Sequence, residues 1–123
     1  MFEPYASTVR SWAELSRPLG FELLRNEDFS ATLARADGAR ILFWADRASD
    51  GLTISLVPVS SAERTSGYAL WLLMEALENE LPNDRRQPSW ANQMWFFQTF
   101  HDRLLATDEG YRDRYRRLNT LEF

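Results

Sequence analysis

The spacing of apolar residues changes twice along the chain. Near the N-terminus, apolar side chains recur close to helical spacing at Tyr5, Val9, Trp12 and Leu19. Pro4 suits a first helical turn, and Pro18 and Gly20 provide a stop signal. We therefore predict a first helix over about residues 4–16.

Between residues 21 and 60, short apolar runs alternate with polar turns. The turns contain Asp37-Gly38 and Ser49-Asp50-Gly51, and an Asp-Gly pair between alternating apolar runs is the strongest short-range sign of a β-hairpin. The pattern predicts an antiparallel meander of three or four strands. One face of these strands would carry the core side chains Phe29, Ala31, Leu33, Ile41, Phe43, Ala45, Leu52, Ile54 and Leu56.

After Gly67 the apolar spacing becomes helical again. The segment YALWLLMEALENEL predicts a second helix over residues 68–81, and Ser89 is a suitable N-cap for a third helix that begins after the loop 82–88. A last helix is predicted over residues 108–118. Strands followed by helices indicate one α+β domain over residues 1–123, in which an N-terminal helix and three C-terminal helices pack on one face of the sheet.

Composition excludes several classes of function. The chain has no Cys, so a thiolate nucleophile, a zinc–thiolate site and a disulfide framework are impossible. The net charge of −4 and a pI of about 5.0 argue against a nucleic-acid partner. The longest apolar run is far shorter than the ~20 residues that span a bilayer, so no membrane partner is expected. A secretory signal peptide has an uninterrupted apolar core, but Glu3 and Pro4 lie where that core would be. The sequence therefore predicts a cytoplasmic protein.

His101 is the one histidine and thus the first candidate for acid–base chemistry. On a helical wheel it lies in the middle of an apolar face formed by Trp90, Met94, Phe97, Leu104 and Leu105. A core histidine is therefore the expected role, and Asp102 should not orient it, because neighbours on a helix point about 100° apart. We predict no catalytic residue, no metal and no cofactor.

The second helix and the loop after it are acidic. Residues 67–84 contain four acidic residues and no Arg. Aromatic side chains beside carboxylates are typical of a binding surface for a basic partner, and Trp95 falls on the polar side of the third helix. The candidate partner-binding residues are Tyr68, Trp71, Glu75, Glu78, Glu80, Asp84 and Trp95. In the alternative interpretation, neighbouring elements bury Tyr68 and Trp71, and another helix covers Trp95.

The order of these segments resembles the small α+β immunity proteins of bacterial toxin–immunity pairs, including polymorphic-toxin and contact-dependent-inhibition systems. The resemblance depends on the short first helix, the meander with its Asp-Gly turns, the segment YALWLLMEALENELP, and the closing segments WFFQTFHDRLLA and GYRDRYRRL. It implies a binding protein that neutralises a cognate toxin in the cytoplasm by contact alone. A regulatory, adaptor or chaperone-like domain is the alternative, followed by an enzyme of unfamiliar type.

Overall fold

The computed structural model describes residues 1, 5–46, 51–61 and 66–122. Pro4, Ser49 and Asp50 therefore lie outside the described residues. The described residues form four helices: α1 (Ala6–Ser16), α2 (Leu70–Ala76), α3 (Trp90–Ala106) and α4 (Arg112–Glu122). The strands are β1 (Glu22–Asn26), β2 (Ser30–Ala34), β3 (Arg40–Ala45), β4 (Leu52–Val57) and β5 (Tyr68–Ala69), and short 3₁₀ turns occupy Arg17–Leu19, Glu78–Glu80 and Asn83–Arg85.

The strands form one antiparallel sheet in the order β1-β2-β3-β4-β5. The predicted α+β class is confirmed, but the described residues form five strands rather than three or four. The additional strand, β5, pairs Tyr68 with Leu56, and this pairing takes two residues from the start of the predicted second helix. Gly67 permits the junction, because its φ is +67° and a Cβ there would lie 2.8 Å from the Leu56 carbonyl oxygen.

The core lies between the sheet and the helices. Phe43, Ile54, Leu73 and Phe97 are buried in one cluster, as the apolar spacing predicts. Trp12 of α1 joins the two layers, since its ring lies 6.2 Å from the ring of Phe43 and 5.1 Å from that of Phe97. The meander and the helices are thus connected through aromatic contacts on one face of the sheet.

The helix boundaries depart from the sequence pattern where tertiary contacts intervene. The Ser89 cap is confirmed, because its hydroxyl accepts a hydrogen bond from the Asn92 amide at 3.2 Å. The last helix begins at Arg112 rather than at 108, since Thr107 forms a parallel bridge with Ser60 and the Asp108 amide donates to the Ser60 carbonyl oxygen at 3.2 Å. That extended pairing delays the start of α4.

Two buried tyrosines connect α4 to the end of the sheet. The Tyr68 hydroxyl donates to Asp108 Oδ2 at 2.6 Å, and the Tyr115 hydroxyl accepts from the Ala69 amide at 2.8 Å. The rings of Tyr68 and Tyr115 also meet edge to face at 4.8 Å. As a result, α4 packs beside α2 at the β5 edge.

Candidate functional site

Three of the predicted acidic residues are exposed on α2 and on the two turns that follow it in the chain. Glu75 is on α2, Glu78 is in the 3₁₀ turn after it, and Asp84 is in the next turn. All three are exposed, and among the described residues none of them forms an ion pair. We call Trp71, Glu75, Glu78 and Asp84 the acidic surface.

Trp71 supplies the apolar part of the acidic surface. It is half-buried and packs against the core, and it lies one helical turn before Glu75, so that the two side chains are neighbours along α2. A ring that is already held by the core loses little conformational freedom when a partner covers it. This geometry suits a binding anchor.

Glu80 differs from the other acidic residues because Arg103 of α3 neutralises it. The guanidinium donates to both carboxylate oxygens, at 2.5 and 3.0 Å. These hydrogen bonds hold the pKa of Glu80 below its usual value. Glu80 therefore joins α3 to the turn after α2. Because Arg103 compensates its negative charge, we do not include Glu80 in the binding surface that the sequence predicts.

Further arginines return to the acidic segment from elsewhere in the chain. Arg114 of α4 donates to the Ala76 carbonyl oxygen at 2.7 Å, at the C-terminal end of α2. Arg86 donates to the Leu81 carbonyl oxygen at 3.1 Å. A segment with no arginine of its own thus acquires positive charge through tertiary contacts.

The structure removes Tyr68 from the predicted binding surface. Its side chain is 0% exposed, and its hydroxyl is bonded to Asp108. The sequence predicted a helix over residues 68–81, and Tyr68 was a candidate on that helix. Residue 68 belongs to β5 instead, where its side chain points into the core between the sheet and α4.

Trp95 is half-buried, and an arginine lies over its ring. The Arg85 guanidinium lies 5.1 Å from the centre of the Trp95 ring, and Phe100 contacts the ring at 6.1 Å. Arg85 also donates to Asn92 Oδ1 at 3.2 Å, and Asn92 donates to the Asp84 carbonyl oxygen at 3.3 Å. Trp95 therefore borders the Asp84 end of the acidic surface, half-buried beneath a cation.

His101 is only partly buried. Its ring packs against Phe97 at 6.0 Å, and its Nδ1 lies 3.1 Å from a carboxylate oxygen of the exposed Asp102. The angles at this contact do not satisfy a hydrogen bond, and Nδ1 has no other hydrogen-bond partner among the described residues. The prediction that Trp90 shares a buried face with His101 is wrong, since Trp90 is 48% exposed at the N-terminus of α3.

A second candidate surface lies on the other layer, and none of its residues is among the candidates predicted from the sequence. We define the outer sheet face as the side of β1–β4 that points away from the helices; its central residues are Arg25, Thr32, Arg40, Leu42, Trp44 and Ser55. Registered pairs confirm this grouping, since Thr32, Leu42 and Ser55 lie side by side on β2, β3 and β4. An open groove of about 550 Å³ runs over these residues.

A signal for the outer sheet face was present in the sequence. The alternation in ILFWAD places Ile41, Phe43 and Ala45 on the core face, which leaves Leu42 and Trp44 on the opposite face. If helices cover only one side of a meander, the side chains on the other side meet solvent. Two large apolar residues at such positions indicate an exposed apolar patch.

Neither a metal-ligand cluster among the described residues nor a similar protein adds a further constraint on the function. Within the described residues, no group of three His, Asp or Glu side chains is placed to hold a metal ion. In the same part of the chain, no helix is long and apolar enough to cross a membrane. Comparison with protein-family models, with curated proteins and with solved structures gave no match.

Proposed function

We propose that the chain is a binding protein that neutralises a cognate bacterial toxin in the cytoplasm by protein contact. The observation that carries the proposal is the acidic surface, in which the exposed carboxylates of Glu75, Glu78 and Asp84 accompany the half-buried ring of Trp71. A toxin that acts on nucleic acid carries basic residues at its active site. A carboxylate-rich surface is complementary to such a site and would block it.

The position of the carboxylates also supports a binding role. Glu75 lies in the last turn of α2, and Glu78 follows directly, where negative charge opposes the helix dipole. Such a placement costs about 0.3–1 kcal/mol for each charge. A contribution to partner association would explain this cost, because surface carboxylates accelerate encounter with a basic protein.

The experiment uses the toxin domain that the proposal requires. The C-terminal domain of the protein encoded directly upstream is expressed in the cytoplasm of a laboratory host, alone or together with this chain. We expect the domain to stop growth and the chain to restore it. A harmless domain, or a toxic domain on which the chain has no effect, would contradict the proposal.

A charge-reversal variant tests the acidic surface itself. Glu75→Arg, Glu78→Arg and Asp84→Arg together should slow association with the toxin domain and flatten its salt dependence. Glu14→Arg, Asp28→Arg and Glu109→Arg form the matched control, because these residues are also exposed and both variants change the net charge from −4 to +2. Equal association rates for the two variants would place the docking surface elsewhere.

A further inference from the structure

We propose that β1 is a dimerisation strand, through which the sheet of one molecule pairs antiparallel with the sheet of a second copy of this chain. β1 lies at one edge of the sheet, and β5, which is bonded to α4, lies at the other. The acidic surface includes no residue of β1. The inference is therefore independent of toxin neutralisation.

One side of the β1 backbone has no strand beside it. Within the part of the chain that the structure describes, β1 pairs with β2 alone. All five of its residues are exposed, and the exposed fractions of Leu23 and Leu24 are 51% and 62%. The N–H and C=O groups of a free edge can pair with another strand, and many edge strands carry Lys or Pro that prevent such pairing. β1 contains neither residue.

A bulge in β1 decides which of its side chains share a face. Glu22 is in register with Ala34 and Arg25 with Thr32, whereas Leu24 has no registered partner. Residues three apart on a regular strand point to opposite faces, but Ala34 and Thr32 are two apart on β2 and therefore share the outer sheet face. The bulge thus brings Glu22 and Arg25 onto the same face, next to each other along the edge.

The segment Glu22-Leu23-Leu24-Arg25 is complementary to itself in the antiparallel direction. If two copies pair about a two-fold axis between Leu23 and Leu24, Glu22 of each copy lies opposite Arg25 of the other, and the leucines meet at the centre. A two-fold interface makes each contact twice. Opposite charges directly across an antiparallel pair stabilise it. A second copy of this chain is therefore the partner whose charges fit the edge.

The two charged side chains are available for this contact. Glu22 forms no ion pair among the described residues. Arg25 lies 3.8 Å from Glu27, which is too far for a hydrogen bond, and both side chains are largely exposed. A guanidinium has five N–H donors, so Arg25 can also donate to a carboxylate of the second copy. Asn26 is already engaged, because its Oδ1 accepts a hydrogen bond from the N-terminal ammonium of Met1.

The edge has room for an incoming strand but supports only a small interface. An open groove of about 350 Å³ borders Glu22, Leu23 and Leu24. A pairing limited to one five-residue strand is about 17 Å long and buries less than the ~1,200 Å² at the lower end of stable complexes. We therefore expect a weak dimer, with a dissociation constant on the order of 0.1–1 mM.

Self-association of the full chain is the first test. Sedimentation equilibrium covers concentrations from about 0.02 to about 1 mM, and NMR of the labelled protein follows the amides over the same range. We expect the average mass to rise from 14.4 kDa towards twice that value. The amides of β1 should shift with concentration, while those of β4 and β5, away from this edge, should not.

A charge swap tests the proposed register. Glu22→Arg places two positive side chains opposite each other in a dimer, and Arg25→Glu places two negative ones there, so each variant alone should dimerise at least about tenfold more weakly. An equimolar mixture of the two variants restores both ion pairs in a heterodimer and should recover association. Glu109→Arg and Arg117→Glu, both exposed and distant from β1 in the sheet order, make the same charge changes and should dimerise normally. Circular dichroism verifies that every variant is folded.

Several results would overturn the inference. The chain could remain monomeric at about 1 mM, or the two folded β1 variants could fail to associate when mixed. Dimerisation that Trp44→Thr abolishes and the β1 variants leave unchanged would assign the contact to the outer sheet face instead. Equal weakening by the β1 variants and the control variants would show that net charge, not the register of β1, governs association.

Discussion

Replacement of Tyr68 by Phe removes one hydroxyl from the junction between the sheet and α4. The hydroxyl donates to Asp108 Oδ2 at 2.6 Å, and Asp108 is almost completely buried, with Arg112 Nη1 3.3 Å from its other oxygen. The ring itself can remain, packed edge to face against Tyr111 and Tyr115 at 5.1 and 4.8 Å. The substitution therefore removes the hydrogen bond to Asp108 and keeps the ring contacts.

Tyr111 provides a matched comparison. It is also buried, and its hydroxyl donates at 2.8 Å to the carbonyl oxygen of Leu104, a neutral acceptor. Burial above all, with Tyr68 and Asp108 nearby, raises the pKa of Tyr111 far above its usual value, so the hydroxyl carries its proton at neutral pH. The two Tyr→Phe variants differ mainly in the charge of the acceptor.

The expected magnitudes follow from that difference. A buried hydrogen bond to a charged group contributes about 1.5–3 kcal/mol, whereas one between neutral groups contributes about 0.5–1.5 kcal/mol. Tyr68→Phe should therefore lower the free energy of unfolding by about 2 kcal/mol and Tyr111→Phe by about 1 kcal/mol. For a domain of this size, 1 kcal/mol corresponds to a shift of about 4 °C in Tm.

Urea unfolding measures both values by linear extrapolation, with the m-value as a check that the unfolded states are comparable. The double variant should lose approximately the sum if the two hydroxyls act separately. Equal losses for the two single variants, or a larger loss for Tyr111→Phe, would refute the conclusion that the contact of Tyr68 with a buried carboxylate dominates this junction.

Three further predictions concern the core, one turn and one ion pair. Phe97→Ala should cost about 3–5 kcal/mol in unfolding free energy, because it leaves a cavity in the fully buried centre. Gly67→Ala should destabilise by more than about 1 kcal/mol, since φ is +67° and a backbone oxygen lies 2.8 Å from the new Cβ, while Gly110→Ala, with open space around it, should be nearly neutral or stabilising. A double-mutant cycle of Glu80→Gln and Arg103→Gln should give a coupling of about 0.2–1 kcal/mol at pH 7. Because the pKa of Glu80 is lowered in the folded state, that coupling should disappear as the pH falls through it. Thermal unfolding across pH 3–7 would show a persistent coupling in acid if this assignment were wrong.

Local patterns in the sequence predict most of the elements. The Asp37-Gly38 turn, the alternation in β2–β4 and the Ser89 cap depend on neighbouring residues alone, and the structure confirms each of them. Gly38 has a φ of +101°, as a tight hairpin turn requires. The helical apolar spacing after Gly67 is likewise confirmed in α2, where Leu70, Leu73 and Met74 are buried.

The number of strands depends on contacts that the local pattern does not contain. Tyr68 and Ala69 continue a helical apolar spacing, but the exposed edge of β4 offers hydrogen bonds, and two residues leave the helix to take them. The start of α4 moves for a similar reason, because residues 107 and 108 pair with Ser60. Pairing between segments that lie about 13 to 47 residues apart produces no periodic pattern in the local sequence, so it cannot be predicted from that sequence.

For the candidate surfaces too, the sequence determines some features and the tertiary structure decides the others. From the sequence alone, residues 67–84 are an acidic segment, and Leu42 and Trp44 alternate away from the core. Only the tertiary structure decides that Glu80 is neutralised by Arg103, that Tyr68 is buried, and that no described helix covers Trp44. The physical reason is that charge and apolar spacing belong to the chain, whereas burial and ion pairing depend on which distant segment packs against each residue.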